Sequence, residues 1–528
     1  MQRKMSNTGN NENKKVRAQS AIERKIALKM GIWCMIFLFY MMFGFGTVCV
    51  QGYVYYDNWK WVLLLLGVGI FVVGSGLLSL QNLDKSSTRK LKFSIVDILF
   101  LATIVSWLIG SLLSVDRSSA FLGDAFRKTG FLYVGAILIA AVILSKYAFH
   151  HFALSIGFAV WTIITNIVGI MQYYEKDIFN WQMYRQYTAL RSMFGNVDQY
   201  SAICAFYLAV LIAIFMLEKN LPALIITGIA IVVDTIAGLA SSSAGFYFAL
   251  FGVLMAIGFA FRNSTYLRRL WMAAIFMYAG VLIQRQFYAR PEYFQSFNEQ
   301  ITLWIFGNRK LIIGVGIALA VLGVLVFLLK NVIDKAGVWI SRVWFILCGL
   351  MLIGFIVLVI YANKNQANIS EEAMLYKLVI TDSWGSGRGR IWKEILRVYK
   401  EGSLKDKIVG IGFDNLSRLN LLPGELGPAT LADAHCAYLD MLLTCGFLGA
   451  GLYFALIIAI IVKCARCVKN NPGVIVALVT AAVYLSVVCI NFNLNVFLPS
   501  CWMVIAFGLS FAKDADRQEV KVMKVNKE

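Results

Sequence analysis

The chain has 528 residues, 59% of them hydrophobic and 15% charged, with 49 Lys and Arg against 29 Asp and Glu. Soluble domains carry roughly 25% charged residues, so an ordinary soluble enzyme is excluded, and the apolar content is too high for a disordered chain. The net charge of +20 reads partly as topology, since basic residues hold cytoplasmic loops in place, and partly as attraction for anions such as lipid headgroups and phosphates.

A bilayer-crossing helix needs about 20 mostly apolar residues. In chain order such runs lie at 30–50, 59–80, 94–115, 131–147, 148–174, 199–217, 221–240, 244–261, 270–283, 310–329, 343–361, 441–462, 473–493 and 496–512. They predict an all-α polytopic membrane protein with about 14 (12–14) transmembrane helices, 131–147 and 270–283 being short. The expected organisation is a basic cytoplasmic tail (1–29), a membrane domain of N-terminal spans (30–361), a long extracytoplasmic loop with short helices (362–440), C-terminal spans (441–512) and a cytoplasmic tail (513–528). With both termini cytoplasmic, 28 of the 49 Lys and Arg fall on the inner side. Much of the remainder sits in the long loop, and long loops translocate largely regardless of charge. Within that loop, residues 387–400 read as an amphipathic helix lying at the membrane surface: Ile391, Ile395 and Val398 share one face, and Arg390, Lys393, Glu394, Arg397 and Lys400 the other.

The ten Cys are scattered, mostly inside apolar runs, which is packing usage and not a disulfide framework. Cys464 and Cys467 form a lone C-x-x-C, and a zinc site needs about four ligands. Of the three His, His150 and His151 fall at a junction between spans and read as packing. His435 stands where the long loop re-enters the membrane, a place for a proton acceptor or for an interfacial structural residue. The stretch Trp384-Gly-Ser-Gly-Arg388-Gly-Arg390-Ile-Trp392 has glycines that free backbone N–H groups to face an anion and two guanidinium groups to fork onto it; a solvated turn is the other reading. Gly410-Ile-Gly412-Phe413-Asp414-Asn415 is a turn signal. Arg117, Arg127, Arg185, Arg191, Arg285 and Arg290 are expected to be mostly surface groups. Asp234 lies inside an apolar run, either as a functional acid or one neutralised by a polar neighbour.

Taken together, Ser386-Gly387-Arg388, Ile391-Trp392, Gly410-Ile411-Gly412, Ala434-His435, Tyr438-Leu439 and Gly446-Phe447-Leu448-Gly449 resemble the C-terminal signature of the O-antigen ligase / O-antigen polymerase (Wzy) superfamily. Upstream, Arg191-Ser-Met-Phe-Gly195-Asn196-Val-Asp-Gln-Tyr-Ser-Ala202 resembles that family's "R … FGNPN … A" stretch. The motif-bearing similarity covers roughly 190–460. Three positions depart from the family: Ala244 replaces the Arg of a Ser-Arg-Gly, Cys436 replaces the Asn after the His, and Asp198 stands where Asn is common.

The resemblance implies a bacterial inner (plasma) membrane glycosyltransferase with a GT-C-like fold, metal-independent and inverting, without cofactor. Its donor would be a polyprenyl-pyrophosphate-linked oligosaccharide, its acceptor a glycan or lipid-linked glycan, among membrane lipids and with no nucleic acid. His435 would be the general base, with Arg388, Arg191 and Arg390 holding the pyrophosphate. Arg285, Arg290 and Asp433 are secondary candidates, the two Arg as substitutes for the missing arginine. The competing expectations are a multi-span secondary transporter or lipid-linked glycan flippase, and a non-catalytic scaffold descended from the enzymes.

Overall fold

The computed structural model describes residues 25–47, 56–80, 93–124, 127–174, 179, 192–241, 243–288, 300–416, 419, 433–491 and 495–512. Among these the regular structure is entirely helical. Ten helices are long and apolar enough to cross a membrane: α1 (Lys25–Phe45), α2 (Asp57–Leu80), α3 (Ile95–Leu112), α6 (Phe152–Tyr173), α7 (Val197–Leu217), α8 (Leu221–Ala240), α10 (Ser264–Tyr288), α12 (Arg309–Leu328), α13 (Lys330–Lys364) and α17 (Gly446–Cys467). Four shorter apolar helices stand where four further runs were expected: α5 (Phe131–Tyr147), α9 (Ala249–Ala260, entered through a 3-10 turn at Ala244–Phe248), α18 (Ile475–Val487) and α19 (Phe497–Ser510). By length and composition the chain is a multi-pass membrane protein.

The core is built around α7. Its window is 89% buried, and it is surrounded by α8, α9, α10 and α18. The most apolar stretch of α13 has no buried residue, so its side chains face outward, as in a lipid-contacting helix, while Ile333 near the start of α13 is buried. The remaining described α-helices are the polar, 18-residue α14 (Trp384–Glu401) and the short α4 (Arg117–Leu122), α11 (Gln300–Gly307), α15 (Leu404–Val409) and α16 (Ala437–Thr444).

Three elements differ from the sequence expectation, each for a physical reason. The run at 270–283 is the middle of the 25-residue α10, because its flanking cations are accommodated. Arg268 lies over the Phe327 ring, and Arg269 donates to the Glu218 carbonyl. The run at 441–462 is two helices, broken at Gly446, whose φ of +66° suits glycine and whose backbone passes against the Ile408 carbonyl. The amphipathic helix forms, extended to Trp384, and part of its apolar face is covered by the chain itself: Ile395 is buried in a small cluster with Leu416, Ala434 and Leu443.

Candidate active site

Asn196 starts α7 by accepting from the N–H groups of Asp198 (2.8 Å) and Gln199 (3.2 Å). This cap places Asp198 in the first turn, at the rim of the bundle. Ser243, just before the 3-10 turn, donates its hydroxyl to Asp198 Oδ1 (2.7 Å). Arg388 reaches the same carboxylate from α14, with Nη2 3.9 Å from Oδ2. Four residues on, and so on the same face of α14, the Trp392 indole donates to the Ala434 carbonyl (3.0 Å). The i, i+4 spacing of Arg388 and Trp392 thus ties one helix to both Asp198 and the residue before His435.

His435 sits between Ala434 and the start of α16 with φ +47°, a left-handed backbone uncommon for a non-glycine residue. Its N–H donates to Asp433 Oδ1 (2.6 Å), and its Nδ1 lies 3.5 Å from the same oxygen. The other oxygen of Asp433 pairs with Arg127. Two residues on, Ala437 N–H donates to the carbonyls of Val488 and Asn491 (2.9 Å each), fixing α16 against the end of α18.

Burial disfavours the charged imidazole, the positive charges of Arg388 and Arg127 disfavour it further, and Asp198 opposes them; the His435 pKa falls to about 4. The result is an imidazole that is neutral at pH 7 and therefore able to accept a proton.

Arg127 is a correction to the sequence reading. It is a half-buried hub and not a free surface group: its charge acts on Asp440, Asp414, Asp124 and Asp57 as well as pairing with Asp433. Burial pushes Asp440 up to about 7, with Arg127 opposing and Asp414 reinforcing. Burial likewise raises Asp414 to about 6, against hydrogen bonds from Thr129 and from the Asp124 N–H. Asp414 accepts from the Thr129 hydroxyl (2.6 Å) and N–H (2.7 Å), so the turn at 410–415 docks on the loop that carries Arg127. That turn has positive φ at Gly410, Gly412 and Asp414. A Cβ on Gly410 would meet the Thr444 carbonyl oxygen at 2.1 Å.

The expected site residues therefore divide. Asp433 contacts His435, and Arg388 is near enough for its charge to act on the imidazole. Arg390 is two residues from Arg388, roughly 200° around the helix, and its charge acts on Asp382 on the outer side. Arg285 is engaged elsewhere, its Nε donating to the Phe306 carbonyl (3.2 Å). Arg191 and Arg290 lie outside the described residues. Ala244 follows Ser243 directly, so it is one residue from the hydroxyl that bonds Asp198. Sequence reasoning missed Arg127, Asp198 as the counter-ion of Arg388, and Trp392 as the anchor of Ala434. Only the i, i+4 spacing of Arg388 and Trp392 offered a signal.

The chain matches no family model, no curated protein and no solved structure. Among the described residues no group of three or more His, Cys, Asp or Glu side chains could hold a metal ion. Chemically, the cluster offers a neutral base, a guanidinium within reach of an anion, and a partly buried ion pair behind the base that fixes it.

Proposed function

We propose that this protein transfers a glycan from a polyprenyl-pyrophosphate-linked oligosaccharide to a sugar hydroxyl on a glycan or lipid-linked glycan acceptor, at the outer face of a bacterial inner membrane. It would be a polysaccharide polymerase or ligase of the O-antigen type, with about 14 (12–14) crossings, cytoplasmic termini and a GT-C-like arrangement. The observation that carries this reading is the meeting of His435 and Arg388 at the α7 rim beside Asp198. These are the two motif residues the resemblance calls base and pyrophosphate ligand, brought from segments 47 positions apart.

In the reaction, His435 takes the proton of the acceptor hydroxyl as its oxygen bonds to the anomeric carbon. The bond from that carbon to the pyrophosphate breaks, and its electron pair leaves with the polyprenyl pyrophosphate. Arg388 stabilises the charge growing on that leaving group, at a partly exposed rim where a guanidinium already in place needs little reorganisation. General-base help of this kind is typically worth about 10²–10⁴-fold. Asp433 and Arg127 do not touch substrate; they position the imidazole.

The test is purified protein incubated with a polyprenyl-pyrophosphate oligosaccharide, alone and with added acceptors. Lengthening of the donor glycan identifies a polymerase, and transfer only to an added acceptor identifies a ligase. His435→Ala should abolish either product while membrane insertion persists. Product formation at the normal rate in that variant would reject the reading.

One observation favours the transporter reading. Asp234 is fully buried within α8, with Oδ1 accepting from Asn166 of α6 (2.7 Å). Acids deep in a span mark ion or proton pathways by default. Loss of solute or lipid movement in Asp234→Asn vesicles, with glycan transfer absent in the wild type, would support it.

A further inference from the structure

At the end of α7 away from Asp198 lies a cavity of about 380 Å³, within the range of small-molecule sites. Asp198 and Leu217 are separated by most of the helix, about 30 Å at 1.5 Å per residue. The interior is apolar, formed by side chains such as Met41, Phe158, Ile214, Met503 and Phe507. Its rim is cationic and polar: Arg269, Lys219 and His150 stand there with Ser155, Tyr266 and Glu218. The acid of that rim is already engaged. Glu218 accepts from the Ser155 hydroxyl (2.7 Å) and from the N–H groups of Lys219 (2.8 Å) and Asn220 (2.9 Å), and His150 Nε2 lies 3.2 Å away. Burial of its carboxyl is outweighed by those hydrogen bonds and by His150, so it stays ionised. Arg269 is anchored at the rim by the Glu218 and Met216 carbonyls, and Lys219 is exposed.

We propose that this cavity is a binding site for an anionic glycerophospholipid, with an acyl chain in the apolar interior and the phosphate at Arg269 and Lys219. An apolar cavity of this size does not hold water well, and left empty its walls lose contacts. In a bilayer, hydrocarbon chains are the apolar groups at hand. The two cations at the membrane–water boundary select an anionic headgroup, because the nearest carboxylate is satisfied by its own neighbours. The glycan donor does not fit this site, since its pyrophosphate would lie at the opposite end of α7 from Asp198, about 30 Å along the helix. The site stands apart from the proposed reaction and does not depend on it.

The experiment is native mass spectrometry of the full chain, delipidated in detergent and then titrated with phosphatidylglycerol, with phosphatidylcholine of the same chains, and with inorganic phosphate. Phosphatidylglycerol should be retained over phosphatidylcholine, and inorganic phosphate should not bind. Lys219→Gln, an exposed change compatible with folding, should weaken phosphatidylglycerol retention about fivefold, and Lys219→Gln with Arg269→Gln about twentyfold, with phosphatidylcholine unaffected. Ile214→Trp, which fills the interior, should reduce retention of both lipids. Equal retention of the two lipids, insensitivity to Lys219→Gln, unchanged retention in a folded Ile214→Trp protein, or phosphate binding without a tail would each overturn the proposal.

Discussion

The indole N–H of Trp392 and the carbonyl of Ala434 are joined by a 3.0 Å hydrogen bond across 42 positions of chain. It binds α14, which carries Arg388, to the residue that precedes His435. The Arg388 guanidinium and the His435 imidazole, its proposed partner, are therefore tied through one hydrogen bond. Trp392→Phe keeps the ring but removes the donor, and a net hydrogen bond is worth about 0.5–1.5 kcal/mol. We expect glycan transfer to fall roughly three- to tenfold through kcat, with the protein still folded. Steady-state assays on a defined lipid-linked donor check this; an unchanged kcat would mean the bond is only structural.

The pair of half-buried Arg127 with buried Asp433 predicts a stability effect. Removing one partner of a buried ion pair costs about 3–5 kcal/mol, because the other charge is left uncompensated. Arg127→Gln should lower the unfolding temperature in detergent markedly, since four further carboxylates lie in its field. Arg127→Gln combined with Asp433→Asn should recover part of the loss. Thermal unfolding followed by tryptophan fluorescence distinguishes these outcomes, and a simple additive double variant would contradict the pairing.

Much of the fold was legible because hydropathy is a local property. Apolar runs announce helices such as α7 and α12 without reference to anything distant. The run at 270–283 was misjudged because Arg268 and Arg269 find an aromatic ring and a carbonyl on other segments. The candidate site was half legible for the same reason. Arg388 and His435 sit in recognisable local motifs, but Arg127 looks like any loop cation until residues 124–129 meet the turn at Asp414. Its burial is a product of contacts nearly 290 positions long, which periodicity does not carry.

The imidazole predicts a pH dependence with a definite sign. The His435 pKa is about 4, below the ordinary 6.5, so between those values the folded protein binds fewer protons than the unfolded chain. Its contribution to stability is present above about pH 6.5 and is lost as pH falls through that window toward 4. The acid limb of kcat/KM in the free protein should lie near 4, not near 6.5. Arg388→Gln removes a positive charge that depresses the imidazole, so its limb should move upward. A limb at 6.5 in the wild type, unmoved by Arg388→Gln, would contradict the assigned environment.

The turn at Gly410 predicts a packing effect. With φ +83° and the Thr444 carbonyl oxygen 2.1 Å from any added Cβ, Gly410→Ala meets both backbone strain and a clash with main chain. The turn must then shift, and Asp414 loses its grip on Thr129. We expect destabilisation of about 2–4 kcal/mol together with lower activity, because the loop carrying Arg127 loosens with it. Limited proteolysis at 410–415 should become faster than in wild type, and resistance equal to the wild type would show that the turn does not hold the site.

Asp198 predicts a gain of function. The family resemblance places Asn there and Arg at the position of Ala244, so this chain has one more negative and one fewer positive charge at the same rim. Ser243 satisfies Oδ1, while Arg388 faces Oδ2 at 3.9 Å and shares its charge with that carboxylate. A pyrophosphate arriving at Arg388 must compete with Asp198 and is repelled by it. Asp198→Asn preserves the shape and the contact with Ser243 while removing the repulsion. At roughly 1–2 kcal/mol for one partly exposed charge near a surface, donor affinity should rise about five- to thirtyfold. The same change removes the anion that opposes depression of the imidazole, so the acid limb should move lower still. Titration of an unreactive polyprenyl-pyrophosphate analogue against both proteins reads the first effect and a pH profile the second. Weaker binding by Asp198→Asn would show instead that the carboxylate orients Arg388 toward the donor, and would place Asp198 among the positioning residues.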